Sequence, residues 1–378
     1  MESTALVVLG AGKLGRVFVR QLGESVAFHR QRHQAEYRIV AWADSTAAFI
    51  NSKGLAFEAL AGISTRKEAG ASFAAQGGEG SDGAQESVNG AATRAVELID
   101  EVAAAEAGGL PPLVIDLTSS AWTGPVLVHA LRKGFSAVTA NKLPVAGAQE
   151  LFDSLTATPR FRYEATVASA VPVIETCLGL IRNGDRVDAF TGALSGTIGH
   201  LMTGLEDGKP FSKLVTTAMQ RGYTERDPRA DLGGEDVARK ALILARTLGR
   251  KLEFADVALE PLVPPSLALL GVEDFIGALP GLDSNFAQRV AQARAAGKAL
   301  RYAAAMDDGG VAVGPVAVPK GGALGSLRGR DNLLAISSKY YPDLPLVLQG
   351  SGDGIEAAAS AVQGDLIALI LAENFRRG

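Results

Sequence analysis

The densest group of ionisable side chains lies in the stretch GYTERDPRADLGGEDVARK, which runs from Gly222 to Lys240 and holds five carboxylates in nineteen residues. A helix that begins near Glu235 places Asp236 and Lys240 four residues apart on one face, and apolar side chains continue that face from Ile243. On an exposed surface such a pair would contribute only about 0.3–0.5 kcal/mol. In a cleft, however, a lysine beside carboxylates can protonate a carbonyl oxygen as hydride reaches its carbon. The remaining carboxylates could then bind an ammonium group, so the block predicts a small amino-acid aldehyde or alcohol as substrate.

A glycine-rich turn near the N-terminus has the spacing of a dinucleotide-binding turn. The apolar run from Ala5 to Leu9 is typical of a buried strand, and the amphipathic segment after the turn is typical of a helix. In this context the first glycine permits a tight turn, the second lets the backbone approach a pyrophosphate, and the third lets the helix pack close to the strand. The helix N-terminus adds unpaired N–H groups for the phosphates. The predicted cofactor-binding residues of this turn are Gly10, Ala11, Gly12, Lys13, Leu14 and Gly15.

A carboxylate at the end of the second predicted strand bears on the choice of cofactor. Asp44 follows the run YRIVAWA, about ten residues later than the usual spacing, because the first helix and its loop are long. Its carboxylate should accept hydrogen bonds from a free 2′-hydroxyl and repel a 2′-phosphate. We therefore expect NAD or NADP as the cofactor, with NAD favoured. Lys13, Arg16 and Lys53 are close enough in sequence to offer a 2′-phosphate some compensation.

Strands alternate with helices in the first part of the chain, as in a parallel sheet whose faces are covered by helices. We predict an α/β fold, with a Rossmann-type parallel-sheet domain over residues 1–145 to which residues 346–378 return. Residues 146–345 should form an α+β substrate and dimerisation domain. The stretch 59–109 is rich in alanine, glycine and serine and offers little apolar area, so we predict a flexible insertion there.

Composition excludes several other classes of protein. The chain has 378 residues with 37 basic and 41 acidic side chains, so no strong positive field would draw it to nucleic acid or to an anionic membrane surface. Its single cysteine cannot close an intramolecular disulfide, which fits a reducing compartment. The N-terminus has no basic segment followed by a long apolar run. A cytoplasmic enzyme is the expectation.

Several motifs together resemble those of the homoserine dehydrogenase family. DLTSS at 116–120, VTANK at 138–142, YEATVASAVP at 163–172, GALSGT at 192–197 and the acidic block at 222–240 follow the family in order. The resemblance covers nearly the whole chain outside 59–109. It implies an NAD- or NADP-dependent interconversion of L-aspartate 4-semialdehyde and L-homoserine in threonine, methionine and isoleucine biosynthesis. The chain shows no aspartate kinase or regulatory segment, so threonine feedback through such a domain is not expected.

The resemblance also implies roles for individual residues. Lys240 would donate and accept the proton, Asp236 would position it, and Lys142 would share the acid/base work. Glu225 and Asp231 would hold the amino group of the substrate. The full set of expected substrate-binding residues is Thr197, Gly222, Tyr223, Glu225 and Asp231. Besides the glycine turn and Asp44, the expected cofactor-binding residues are Thr118, Ser119, Lys142, Gly222 and Gly354.

Two further features follow from the same resemblance. A monovalent cation such as sodium would be bound through a carboxylate and main-chain carbonyl oxygens, which are hard ligands. The expected cation ligands are Glu164, Val167, Ser169 and Val171. Near the C-terminus the sequence GSGDGIEAAAS departs from the family pattern, and the carboxylate of Asp353 there could alter cofactor affinity. A homodimer is the expected assembly.

Two alternatives remain open. Another semialdehyde dehydrogenase built on the same fold would need Cys177 as an acylated nucleophile, but Cys177 lies on an apolar helical stripe with no histidine nearby in sequence, which favours a core role. A dinucleotide-sensing protein without turnover is the second alternative. A sensor would have no need of Lys240 beside Asp236, Asp231 and Glu225.

Overall fold

The computed structural model describes residues 2–77, 88–352 and 354–377, and the chain divides into two compact units. Unit 1 comprises Met1–Ala170 and Gly354–Gly378, and unit 2 comprises Val171–Asp353. The first boundary between the units, after Ala170, therefore lies later in the chain than the predicted boundary near residue 145. Asp353, which departs from the family pattern, lies outside the described residues, as do residues 78–87 of the predicted insertion.

Unit 1 is built on a mostly parallel sheet. The strand order is β3-β2-β1-β4-β5-β6, and neighbouring strands pair in parallel except for β3, which is antiparallel to β2. Every residue of β1 is buried, as expected of a strand with both sheet faces covered. The strands are β1 (Thr4–Leu9), β2 (Tyr37–Ala43), β3 (Ala48–Ile50), β4 (Leu113–Asp116), β5 (Ser136–Thr139) and β6 (Phe161–Arg162). The prediction of a Rossmann-type sheet is confirmed. Strand β6 extends this sheet beyond residue 145, which is why unit 1 continues past the predicted boundary.

The helices of unit 1 follow the strands in the expected alternation. They are α1 (Lys13–His33), α2 (Phe57–Glu68), α3 (Val88–Ala105), α4 (Thr123–Arg132), α5 (Lys142–Val145) and α6 (Gln149–Thr156), with 3-10 turns at Ala74–Gln76 and Glu164–Thr166. The C-terminal helix, Ile355–Arg377, is long and apolar enough to cross a membrane by length and composition. It packs against α1, and Val362, Leu366 and Ile370 are buried in the core of unit 1. That burial is typical of a core helix.

The prediction of a flexible insertion at 59–109 is wrong for its described residues. Leu60 and Ile63 lie three positions apart on α2, so both reach the core from one helix face. Phe73 is fully buried and makes edge-to-face contacts with Trp42 and Phe49 at centroid distances of 5.1 Å. On α3 the residues at the i, i+3, i+4 and i+7 positions are buried: Ala95, Leu98, Ile99 and Val102. A few well-spaced large side chains anchor a segment whose average composition is poor in apolar area.

Unit 2 is built on a mainly antiparallel sheet of order β12-β11-β7-β9-β10-β8, against which helices pack. Its strands are β7 (Val187–Ala193), β8 (Val257–Leu259), β9 (Lys298–Asp307), β10 (Gly310–Pro319), β11 (Asp331–Ser338) and β12 (Tyr341–Ser351). Its helices are α7 (Val173–Arg182), α8 (Gly196–Glu206), α9 (Phe211–Gln220), α10 (Arg229–Leu232), α11 (Glu235–Thr247), α12 (Pro265–Ala268), α13 (Val272–Ala278), α14 (Asp283–Ala295) and α15 (Ala323–Ser326), with 3-10 turns at Phe254–Asp256 and Leu279–Leu282. Helices α8, α11 and α14 contact β9, which makes this an α+β unit as predicted.

Candidate active site

The glycine turn of unit 1 is shaped by contacts that only glycine permits. Gly10 has φ of 105°, and a Cβ there would lie 2.8 Å from the main chain of Leu117. A Cβ on Gly15 would lie 2.0 Å from the carbonyl oxygen of Gly10, so glycine lets α1 start directly against the end of β1. At Gly12, the residue before α1, a Cβ would meet nothing within 4 Å. The turn therefore leaves open space at the helix N-terminus, where phosphates bind well.

A cavity of about 500 Å³ adjoins this turn. It lies at the carboxyl ends of the parallel strands, the usual ligand position in such sheets. Its lining includes Gly10, Gly12, Thr118 and Ser119, and Trp122 also contributes to its wall. The turn and the polar residues after β4 thus face one space, as the sequence predicts. Its volume is within the range of small-molecule sites.

Asp44 also lines this cavity, but its carboxylate is fully engaged within the chain. Oδ1 accepts from the Thr46 N–H at 2.7 Å, the Thr46 hydroxyl at 2.6 Å and the Ala47 N–H at 3.0 Å. Oδ2 accepts from the Lys67 ammonium and from the Phe73 N–H at 3.1 Å. Burial opposes ionisation of Asp44, but the bonds from Lys67 and Thr46 outweigh it and lower the pKa. The side chain is 5% exposed.

This geometry differs from the expectation that Asp44 reads the ribose. A carboxylate that holds Lys67 and the backbone of Phe73 is a structural anchor for the segment after β3. The argument for a preference for NAD therefore loses its support, because the negative charge of Asp44 is paired with Lys67. Arg94, on α3, lines the same cavity and donates to the carbonyl oxygen of Thr46 at 3.0 Å. Sequence alone gave no signal for Lys67 or Arg94, since both come from the segment that we predicted to be flexible.

In unit 2, Lys240 is held by two acceptors. Its Nζ donates to Asp236 Oδ2 at 2.8 Å and to the carbonyl oxygen of Leu194 at 2.7 Å. The lysine side chain is 15% exposed and Asp236 is 45% exposed, so this is not an ordinary surface pair. An ammonium group has three N–H donors, so the two acceptors found among the described residues leave one for a substrate oxygen. The sequence does not predict the contact with the Leu194 carbonyl oxygen, because a main-chain acceptor has no sequence signature.

The predicted substrate carboxylates lie beside each other in the same unit. Asp231 Oδ2 accepts from the Glu225 N–H at 2.8 Å. Burial raises the pKa of Asp231, the negative charges of Glu225 and Asp236 raise it further, and the Glu225 N–H opposes them. The hydroxyl of Thr197 donates to the carbonyl oxygen of Tyr223 at 2.5 Å. A cation placed here would relieve the repulsion between the carboxylates.

The remaining predicted site residues are distributed over both units. Lys142 is the first residue of α5, directly after β5, and belongs to unit 1. Gly222 lies two residues after α9, with φ of 66°, and Gly354 precedes the C-terminal helix, with φ of 119°. Cys177 is completely buried on α7, which favours the core role and gives no support to a thiol nucleophile.

The expected cation ligands surround a sharp turn after the 3-10 helix Glu164–Thr166. Ala168 and Ser169 both have left-handed backbone conformations, with φ of 57° and 56°. Glu164 and Val167 are buried in unit 1, whereas Val171 begins unit 2. Over residues 2–77, 88–352 and 354–377, no cluster of three or more His, Cys, Asp or Glu side chains could hold a metal ion. A sodium site here would thus depend on main-chain oxygens and one carboxylate.

Comparisons with known proteins agree with the sequence motifs. The family model described as homoserine dehydrogenase matches residues 172–367. A homoserine dehydrogenase from Emericella nidulans is 35% identical over 277 residues, which cover 68% of this chain and 75% of that protein. The bifunctional aspartokinase/homoserine dehydrogenase of Haemophilus influenzae is 37% identical over 264 residues. The chain spans only about a third of the length of such bifunctional relatives.

Solved structures show the same architecture over almost the entire chain. A Candida auris protein of unknown function superposes with a TM-score of 0.81 at 27% identity, covering 98% of both chains. A hyperthermophilic archaeal homoserine dehydrogenase in complex with NADPH superposes with a TM-score of 0.72 at 19% identity, again covering 98% of both chains. Because the family model covers more than half of the chain, and the Emericella nidulans relative is matched over three quarters of its length, the chain belongs to the homoserine dehydrogenase family.

Proposed function

We propose that this chain interconverts L-aspartate 4-semialdehyde and L-homoserine with a nicotinamide dinucleotide. The observation that carries the proposal is the amine of Lys240, held by Asp236 and the Leu194 carbonyl with one N–H donor remaining. When bound, the reduced nicotinamide supplies a hydride for the aldehyde carbon. Lys240 then transfers a proton from Nζ to the aldehyde oxygen, which completes the alcohol. In the oxidative direction Lys240 takes that proton back.

Glu225 and Asp231 would bind the ammonium group of the amino acid. The pKa of Asp231 is raised because the carboxylate is half-buried and faces other negative charges. A bound ammonium compensates those charges, so an amino-acid substrate suits this site better than a neutral aldehyde does. Thr197 and Tyr223 would complete the binding site, since the bond between them fixes the main chain next to Glu225.

The cofactor would be held in unit 1 by the turn from Gly10 to Gly15, by Thr118 and Ser119, and by Lys142, with contributions from Gly222 and Gly354. The open space at Gly12 and the adjoining cavity support this assignment. Because the charge of Asp44 is paired with Lys67, and Arg94 lines the same cavity, we propose that NADP is accepted as well as NAD. The archaeal structure with NADPH is in line with this proposal.

The assembly, the cation and the compartment belong to the same proposal. Strand β12 is at the edge of its sheet and exposes Tyr341, Leu344 and Val347, which would suit a homodimer contact. Sodium would bind at the turn after Glu164. We propose a cytoplasmic enzyme of amino-acid biosynthesis, as the family resemblance implies.

The direct test is oxidation of L-homoserine with NAD and, separately, with NADP, followed by the absorbance of the reduced nicotinamide. 3-Aminopropan-1-ol and 4-hydroxybutanoate, which lack the carboxylate and the ammonium group respectively, serve as comparison alcohols. We expect turnover of homoserine with both cofactors and much slower turnover of 4-hydroxybutanoate. Binding of the cofactor without turnover of homoserine would instead favour the dinucleotide-sensing alternative.

A further inference from the structure

A completely buried carboxylate lies at the carboxyl end of β4, directly before the turn that lines the cofactor cavity. Asp116 Oδ1 accepts from the Thr118 N–H at 3.0 Å and the Thr118 hydroxyl at 2.8 Å. Its Oδ2 accepts from the Thr123 hydroxyl at 2.7 Å and from Asn141 Nδ2 at 3.2 Å. A buried carboxylate is tolerated only when such donors compensate for lost water. These hydrogen bonds to Asp116 therefore hold the turn after β4 in place.

Asn141 connects this network to the next strand. Besides Asp116, its amide nitrogen lies 2.8 Å from the carbonyl oxygen of Ser120 and 3.2 Å from the Thr118 hydroxyl. Its Oδ1 accepts from the Leu143 N–H at 3.1 Å, which caps the N-terminus of α5. Asn141 is 3% exposed. One side chain thus donates to the turn after β4 and also caps the helix whose first residue is Lys142.

We propose that Asn141 is a positioning residue, which holds the cofactor-facing turn Thr118–Ser120 and the start of α5 with Lys142 in one fixed arrangement. This inference rests on the proposed function, because it assigns the turn to the cofactor and Lys142 to the acid/base work. The physical reason is that one amide supplies both a donor and an acceptor. An ionised carboxylate can only accept, an apolar side chain can do neither, and a serine hydroxyl has a shorter reach. The Thr123 hydroxyl also donates to the Ser120 carbonyl oxygen, at 2.9 Å, so the particular feature of Asn141 is that the same side chain caps α5 as well.

Three variants separate the two halves of this role. Asn141→Asp keeps the acceptor that caps α5 but removes the donor to Ser120 and sets a second carboxylate against Asp116. Asn141→Ser keeps a capping hydroxyl with a shorter donor. The double variant Asp116→Asn/Asn141→Asp exchanges the two groups and restores a donor and an acceptor across their 3.2 Å contact. The matched control is Ser338→Ala, which removes a buried hydrogen bond to Asp185 in unit 2.

The first readout is the dissociation constant of NADPH and of NADH, measured by fluorescence, since Trp122 lines the cavity. The second is kcat and KM for homoserine, each per folded molecule. We expect Asn141→Asp to weaken cofactor binding by about tenfold or more, the size expected for losing a buried hydrogen bond. We also expect it to lower kcat while KM for homoserine stays close to wild type. The double variant should recover part of the affinity, and Ser338→Ala should change neither quantity.

Unchanged cofactor affinity in folded Asn141→Asp and Asn141→Ser would overturn the inference. An equal loss of cofactor affinity in Ser338→Ala would overturn it as well. If Asn141→Asp does not fold, Asn141→Ser and the double variant decide the question. Wild-type protein that binds cofactor but does not oxidise homoserine would contradict the proposed function, whereas the affinity measurements would still test the role of Asn141.

Discussion

Replacing Asp231 with asparagine separates substrate binding from folding. In the proposed complex the Asp231 carboxylate pairs with the substrate ammonium, and a hydrogen bond to a charged group contributes about 1.5–3 kcal/mol. Loss of that contribution raises KM for homoserine by about 10- to 150-fold. The asparagine oxygen can still accept from the Glu225 N–H, which lies 2.8 Å from the carboxylate. The main chain around the site should therefore stay in place.

The same change should not destabilise the protein at neutral pH. Burial and the charge of Glu225 raise the pKa of Asp231 in the folded chain above its unfolded value. Such a group stabilises the fold below the unfolded pKa, and this contribution is lost as pH rises through the folded pKa. At neutral pH the charged carboxylate therefore opposes folding, and asparagine removes that opposition. We expect the free energy of unfolding of Asp231→Asn to equal or exceed that of the wild type.

The assay is steady-state oxidation of homoserine at saturating cofactor, together with urea unfolding of both proteins. Glu235→Gln is the matched control, because it makes the same change in charge at the start of α11, where Glu235 is 59% exposed and pairs with Arg239. It should leave KM within about twofold of the wild type, as expected for an exposed pair. A wild-type KM in folded Asp231→Asn would refute the reasoning, and so would an equal rise in KM for Glu235→Gln.

Three further predictions concern pH, the core and the cysteine. KM for homoserine should rise as pH falls through the raised pKa of Asp231, because the neutral carboxyl cannot pair with the ammonium group, while the dissociation constant of the cofactor should not follow this profile. Phe73→Ala should lower the free energy of unfolding by about 3–5 kcal/mol in urea titrations, whereas Phe28→Ala, at a side chain that is 58% exposed, should change it little; equal effects would contradict the assignment of Phe73 to the core. Cys177→Ala should keep wild-type kcat for homoserine, and its loss in a folded variant would revive the thiol mechanism.

Much of the parallel-sheet unit can be predicted from local sequence. The run from Ala5 to Leu9 and the glycines after it specify strand, turn and helix, since only glycine tolerates the close contacts seen at Gly10 and Gly15. The spacing of Asp236 and Lys240 likewise predicts their contact, because residues four apart on a helix are neighbours. The close approach of Gly15 to Gly10 and the contact of Asp236 with Lys240 each join residues only four or five positions apart in the chain.

The errors arise where distant segments meet. The stretch 59–109 has few large apolar residues, yet burial depends on where Leu60, Ile63 and Phe73 point rather than on their number. Asp44 also has a partner that is distant in sequence, because Lys67 comes from that segment. A strand-end aspartate has the same sequence signature whether it binds a ribose or a lysine. The structure shows the contact with Lys67, and the contact of Asp44 with a ribose stays a prediction.

The central claim is that the amine of Lys240 transfers the proton. The most direct measurement is kcat for homoserine oxidation by Lys240→Ala, with NADPH affinity and thermal unfolding measured on the same preparation. We predict that kcat falls by about 10²- to 10⁴-fold, the range of general acid–base catalysis, while NADPH affinity and folding stay close to the wild type. A folded Lys240→Ala protein that retains more than about a tenth of the wild-type kcat would contradict the claim.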